Sequence, residues 1–291
     1  MTKAERTALI GSGVALVLGA LVGLAGSHRG DEIGGFKVFL LLTIVAFVIN
    51  LVAFVPSYLA STEHYYDLTG SATYISTTVL ALILADNLDA RSVIMGVLIL
   101  MWAGRLGSFL FQRVKRAGKD GRFDQIKLSA LRFSMAWILQ GLWVTLTAGA
   151  AFAAITSGAK QSFDIVGALG LIIWVLGFLI EVVSDSQKTA FKSDPANDGR
   201  FINTGLWAWS RHPNYFGEIM LWTGMAIVAV PALQGWQYVT LISPVFVFIL
   251  LTRVSGLPML ERRADKKWGG QPDYEAYKAG TPVLVPRPPD T

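Results

Sequence analysis

Eight stretches of almost unbroken apolar sequence divide this chain, and they constrain its fold more than any other feature. They are centred on about residues 8–26, 37–60, 72–85, 92–111, 133–155, 163–184, 214–232 and 237–254. A helix of about 20 apolar residues crosses the hydrocarbon core of a bilayer. In lipid the backbone must satisfy its own N–H and C=O groups, so segments of this kind cross as helices. With 53% hydrophobic and 15% charged residues among 291, the chain is too apolar for an ordinary soluble domain. The expected fold class is all-α: a polytopic transmembrane helix bundle of about eight spans. The first run is too long, and too plainly followed by others, to be a cleaved signal peptide. The third is the shortest.

Charge placement orients the bundle. Of the 25 Lys and Arg, 21 lie on or border the side that holds both termini, and Arg29, Lys37, Arg91 and Lys160 fall opposite. Basic loops stay inside, so both termini are expected in the cytoplasm, as in an integral protein of the cytoplasmic membrane if the source is bacterial. The net charge of +5 then calls for no nucleic acid. The basic loop Arg113–Arg122 reads as orientation plus contact with membrane lipids. Without Cys there is neither a disulfide nor a thiolate metal site, and three scattered His make no imidazole site, so no metal is expected. Residues 1–60 read as N-terminal transmembrane helices and 61–291 as one integrated catalytic membrane domain, with no linker or repeat.

The densest polar string runs from Asp198-Gly199-Arg200 through Asn203 and Trp207 to Ser210-Arg211-His212-Pro213-Asn214-Tyr215-Phe216-Gly217-Glu218. Pro213 suits a first helical turn. Helix spacing puts Arg211 near Tyr215 and Asn214 near Glu218. A helix start flanked by Arg200 and Arg211 makes an anion cradle. The ordinary alternative is an interfacial cap, with Trp207 and Trp209 in the aromatic belt. Upstream, Glu181, Asp185 and Lys188 share a helix face, followed by Lys192. The acids begin inside an apolar run, where ionisable groups are functional by default. Arg105 lies deep in the fourth span on a face with Trp102 and Phe109, so it should face protein or water.

Between the second and third spans, Glu63-His64-Tyr65-Tyr66-Asp67 reads as a polar loop, with Thr69 or Ser71 starting the next helix. Tyr66 beside Asp67 is the candidate proton donor, with Tyr65 and Glu63 behind them. Gly19 and Gly23 read as a helix-packing pair. His28, among the charges of the loop 27–32, reads as solvated.

The string Ser210–Glu218 is similar to the C-terminal signature of steroid reductases, sterol double-bond reductases and isoprenylcysteine methyltransferases. With Tyr66-Asp67-Leu68-Thr69-Gly70 and Arg105–Leu110, the chain most resembles the bacterial steroid 5-alpha-reductase-like branch, over about residues 60–288. That resemblance implies a helix bundle holding NADPH in a cytoplasm-facing cavity. It assigns cofactor contacts to Asp185, Lys192, Arg200, Asn214, Glu218 and Arg253. Lys188, Asn203, Arg211, His212 and Tyr215 fit the same pocket by proximity, and Arg105 joins them. The chain departs from the pattern at Trp102, where steroid reductases carry a catalytic Tyr. Their early catalytic Glu has no counterpart in Leu51–Val55.

The expectation is an NADPH-dependent reductase of a carbon–carbon double bond in an apolar, carbonyl-conjugated lipid, with Tyr66 and Asp67 supplying the proton. The alternative is an S-adenosylmethionine-dependent lipid or prenyl methyltransferase, favoured by Glu261, Tyr274, Tyr277, Pro282 and Pro286. A non-enzymatic lipid-binding protein is the third reading.

Overall fold

The computed structural model describes residues 1–117 and 121–289; residues 118–120 of the basic loop lie outside the described residues. Thr2 and Glu5 open the first helix with a capping box, each side chain accepting from the other's N–H, at 3.2 and 2.8 Å. Helix α1 spans Lys3–Gly26 and is followed by a two-residue hairpin, β1 (Glu32–Ile33) and β2 (Phe36–Lys37), turned on Gly34 and Gly35. Then come α2 (Val38–Leu59), α3 (Tyr66–Leu84), α4 (Ala90–Ala117), α5 (Ala130–Thr147), α6 (Gly149–Ile155) and α7 (Ile165–Ser193). Helix α8 (Pro213–Ala229) begins at the expected proline. The remainder is a 3-10 segment Gly235–Leu241, α9 (Ile242–Ile249), α10 (Leu257–Trp268) and α11 (Pro272–Gly280).

Among the described residues, seven stretches are long and apolar enough to cross a membrane, or eight if the bent pair α5–α6 is one span. The chain is thus an all-α integral membrane protein. Leu9, Ile10, Val14, Val17 and Leu21 of α1 are exposed, as side chains facing lipid would be.

Three boundaries differ from the sequence reading. The run 133–155 is two helices, bent by 56°. Every residue of α6 is buried, and the Ser243 hydroxyl donates to the Thr147 carbonyl at the break. Such a break is tolerated because protein, not lipid, surrounds it. Helix α3 starts at Tyr66, not at Thr69 or Ser71. Burial of the Tyr66 ring among Phe123, Phe133 and Trp137 anchors that first turn, while Ser71 donates from mid-helix to the Ala103 carbonyl. The last apolar run is not one α-helix. Leu250–Val254 forms a π turn after α9, and α10 and α11 add helices beyond it.

The chain comprises two compact units. The first holds residues 1–167 and 228–243, the second 168–227 and 244–291. In the first, α1 and α2 meet through Gly19 and Gly23, as expected of that pair. A Cβ at Gly19 would lie 2.5 Å from the Phe47 ring, and one at Gly23 2.9 Å from Leu40. Arg91, read only as a loop charge, is fully buried. Its guanidinium donates to the carbonyls of Val228 (2.6 Å) and Ser162 (2.8 Å) and pairs with Asp164 at 2.8 Å. In the second unit α7 and α8 pack backbone to backbone. A Cβ at Gly217 would stand 2.6 Å from the Gly177 carbonyl and 2.7 Å from the Glu181 nitrogen. A Cβ at Gly224 would stand 2.5 Å from the Trp174 nitrogen.

Candidate functional site

The glycine contact between α7 and α8 sets the polar centre of the second unit. It brings Asp185, buried on α7, to Asn214 in the first turn of α8, whose amide donates to it at 3.3 Å. One turn before Asp185, Glu181 is also buried, so the acids of that face do lie inside the fold. Lys188 extends the same stripe, with its ammonium 4.1 Å from the centroid of the Trp207 ring. Trp207 is buried, its indole donating to the Ser184 carbonyl at 3.0 Å, so it lies in the core and not in an aromatic belt. Trp209 remains exposed.

The Arg-His-Pro segment is held from the C-terminal side. Glu261 on α10 takes Arg211 at 2.8 Å with one oxygen and His212 Nε2 at 2.7 Å with the other. His212 is buried and stacks on Tyr215, with ring centroids 5.7 Å apart. Burial holds the His212 pKa below 6.5, a shift that Glu261 opposes. The Arg211 N–H donates to the Pro282 carbonyl at 2.9 Å, and the Ser210 hydroxyl donates to Leu284 at 2.8 Å. The Tyr277 hydroxyl donates to the Trp207 carbonyl at 2.7 Å. Burial, reinforced by Asp265, pushes Tyr274 up to about 12. Sequence reasoning named Glu261 only in favour of the methyltransferase alternative and missed its pairing with Arg211 and His212; the spacing from Arg211, 50 residues, gives no local signal.

The other expected cofactor groups are nearer solvent. Lys192, Arg200, Asn203 and Arg253 are exposed, and Tyr215 and Glu218 are half-buried. Arg253 sits in the π turn, a distortion frequent at functional sites. A cavity of about 420 Å³ opens in the same unit beside the end of α7, lined by Gln187, Asp194, Asn197, Thr204 and Gly205. Gly205 has φ +59, and the Gln187 side chain covers it while accepting from the Leu206 N–H at 2.9 Å.

Tyr66, Asp67 and Arg105 belong to the first unit. The Tyr66 hydroxyl is buried and donates to the Ala136 carbonyl at 2.9 Å, while Gln140 donates to its backbone carbonyl at 3.1 Å. Asp67 lies 3.7 Å from Arg122, and Glu63 pairs with Lys127 at 2.7 Å. Arg105 is half-buried over the Phe109 ring. Trp102 is buried, with the Tyr74 ring edge-on to it at 5.1 Å.

A family model described as a protein of unknown function (DUF1295) matches residues 38–281. That is most of the chain, which therefore belongs to this family. An uncharacterized protein of Schizosaccharomyces pombe is 25% identical over 68% of this chain and 64% of its own length. The 3-oxo-5-alpha-steroid 4-dehydrogenase 1 of Bos taurus is 31% identical over 40% of each chain. A probable O-methyltransferase of Ustilaginoidea virens is 32% identical over 23% of this chain and 24% of its own. The chain thus spans less than two thirds of the curated relatives it matches. No solved structure matches it.

Proposed function

We propose that this DUF1295 member is an NADPH-dependent membrane reductase of a carbon–carbon double bond in an apolar, carbonyl-conjugated lipid. The observation that carries this reading is the polar centre of the second unit: Asp185 bonded to Asn214, with Lys188 one turn along α7. The similarity to a steroid dehydrogenase supports it. The donor set fits a phosphorylated dinucleotide. Arg200 and Arg253 are exposed, with no carboxylate partner among the described residues, and Lys188 and Lys192 stand on the neighbouring helix. Guanidinium forks and ammonium groups suit pyrophosphate and 2′-phosphate oxygens. Asp185 and Glu218 offer acceptors for ribose hydroxyls or a carboxamide, and Asn203 and Tyr215 add neutral polar contacts.

When bound, the cofactor supplies a hydride. The chain must orient the substrate and deliver one proton. In this reading Tyr66 delivers it after exchanging the Ala136 carbonyl for a substrate oxygen, and Asp67, beside Arg122, orients the pair. We place the cofactor groups and both termini in the cytoplasm, from the division of 21 basic residues against four.

A second reading, S-adenosylmethionine-dependent methyl transfer, has two observations in its favour. One is the O-methyltransferase match. The other is that Glu261 already engages Arg211 and His212, two groups that the phosphate reading would use. Binding of NADPH, NADH and S-adenosylmethionine to detergent-purified protein separates the two. NADPH should bind selectively, and Arg200→Ala should weaken it roughly tenfold or more, the worth of one charge-assisted hydrogen bond. Binding of S-adenosylmethionine alone would sink the reductase.

A further inference from the structure

The first unit carries a second site, at the end of α1 remote from the N-terminus. A cavity of about 470 Å³ opens there, lined by Leu24, His28, Arg29, Lys37 and Trp236 among others. Its charge is not neutralised as its neighbours' is. Of the four cations on this side, Arg91 is buried on Asp164, Lys160 lies 3.9 Å from Asp31, and Lys37 pairs with Glu32. Arg29 is exposed and has no carboxylate partner among the described residues.

The backbone holds Arg29 at some cost. Its φ is +53, a left-handed conformation that costs a non-glycine residue about 1 kcal/mol or more. The Arg29 carbonyl accepts from the Gly158 N–H at 3.1 Å, and the adjacent Gly30 bridges Ser157. The loop is therefore pinned while the exposed guanidinium makes no hydrogen bond or ion pair among the described residues. His28 is half-buried, not solvated as its charged neighbours suggested. Its ring lies over Gly235, where a Cβ would stand 2.6 Å from Nδ1, and that buried Nδ1 has no hydrogen-bond partner among the described residues. A buried polar atom left so is costly, and the ring is held there by its packing on Gly235.

The flanks of the cavity are apolar and open. Leu24 is 58% exposed on a membrane helix, and Trp236 is 67% exposed beside the loop. Tryptophan at such a position belongs at the headgroup level of a bilayer, and Arg snorkels to the same depth. A ligand that satisfies both parts has an anionic head and an apolar body.

We propose that this cavity binds an anionic phospholipid: Arg29 holds the headgroup phosphate, Lys37 closes the rim, and an acyl chain lies along Leu24 and Trp236. Basic pockets between membrane helices take lipid headgroups on the cytoplasmic side, and this rim offers the same cation–phosphate chemistry at the opposite face. The net positive rim disfavours a choline or ethanolamine ammonium, which selects lipids whose phosphate has no cationic neighbour. A free phosphate ion would use the cations but leave the apolar flank unused. The site is independent of the cofactor reading.

The test uses full-length, delipidated protein in detergent, titrated with phosphatidylglycerol, phosphatidylcholine or inorganic phosphate and followed by thermal unfolding. Bound ligand raises the midpoint by mass action. Phosphatidylglycerol should raise it at concentrations where phosphatidylcholine and phosphate do not. Arg29→Gln should weaken that lipid roughly tenfold, the worth of one charge-assisted hydrogen bond. Trp236→Ala, a change at an exposed side chain, keeps the test usable if Arg29→Gln does not fold, and should weaken the lipid as well. Equal response to the two lipids, an unchanged response in both variants, or inorganic phosphate acting alone would each overturn the proposal.

Discussion

Replacing Gly217 by Ala tests the contact on which the candidate site is built. The added Cβ would stand 2.6 Å from the Gly177 carbonyl and 2.7 Å from the Glu181 nitrogen, both backbone atoms that no rotamer change can move. Ordinary contact begins at 3.4 Å, so α7 and α8 must separate by about 0.8 Å at this level. The Asn214–Asp185 hydrogen bond, one turn away and already 3.3 Å long, would not survive such a shift. Overpacking of this kind costs about 1–3 kcal/mol, and a buried hydrogen bond to a carboxylate adds about 1 kcal/mol or more. For a domain of this size that lowers the thermal midpoint by about 5–12 °C. The assay is thermal unfolding followed by tryptophan fluorescence in detergent, with NADPH affinity measured on the same samples. Gly13→Ala on α1 is the control, since nothing lies within 4 Å of that Cβ; it should be neutral or stabilise by up to about 1 kcal/mol. A Gly217→Ala midpoint within about 1 °C of wild type would refute the close packing, given the expected shift per kcal/mol.

Two further outcomes follow from buried charge. The His212 pKa is held below 6.5 in the folded chain, so the unfolded chain takes up that proton first as pH falls. Stability should therefore decline on acidification below about pH 6.5, and His212→Gln should flatten that part of a midpoint-against-pH profile. Arg91→Lys keeps the charge but not the fork that reaches Val228, Ser162 and Asp164. A loss of about 3 kcal/mol or more is expected in thermal or denaturant unfolding, and a loss below about 1 kcal/mol would mean that the buried guanidinium is not what holds these segments together.

Much of the membrane architecture was legible in the sequence because its cause is local. Apolar runs of span length, Pro213 at a helix start and the Gly19–Gly23 pair each act through neighbours a few residues away. The stripe of Glu181, Asp185 and Lys188 was legible for the same reason, since helical spacing alone puts them on one face. The partners of these groups were not. Arg211 read as part of an anion cradle beside a helix start and His212 as its neighbour in a cofactor pocket, yet Glu261 takes both, and it comes from a helix that begins 46 residues after Arg211. His28 read as solvated among charges, but Gly235, distant in sequence, closes over its ring. Arg91 looked like an orientation charge in a loop and is fully buried, because Val228, Ser162 and Asp164 converge on it. The bend at Ala148 likewise depends on Ser243 reaching the freed Thr147 carbonyl. By itself, then, the sequence determined that this chain crosses a membrane as helices and which faces carry charge, because hydropathy and helical period are properties of short segments. Which charge each polar group meets, and whether it stays available to a ligand, was decided only by tertiary structure, because those partners lie tens to more than a hundred residues apart along the chain.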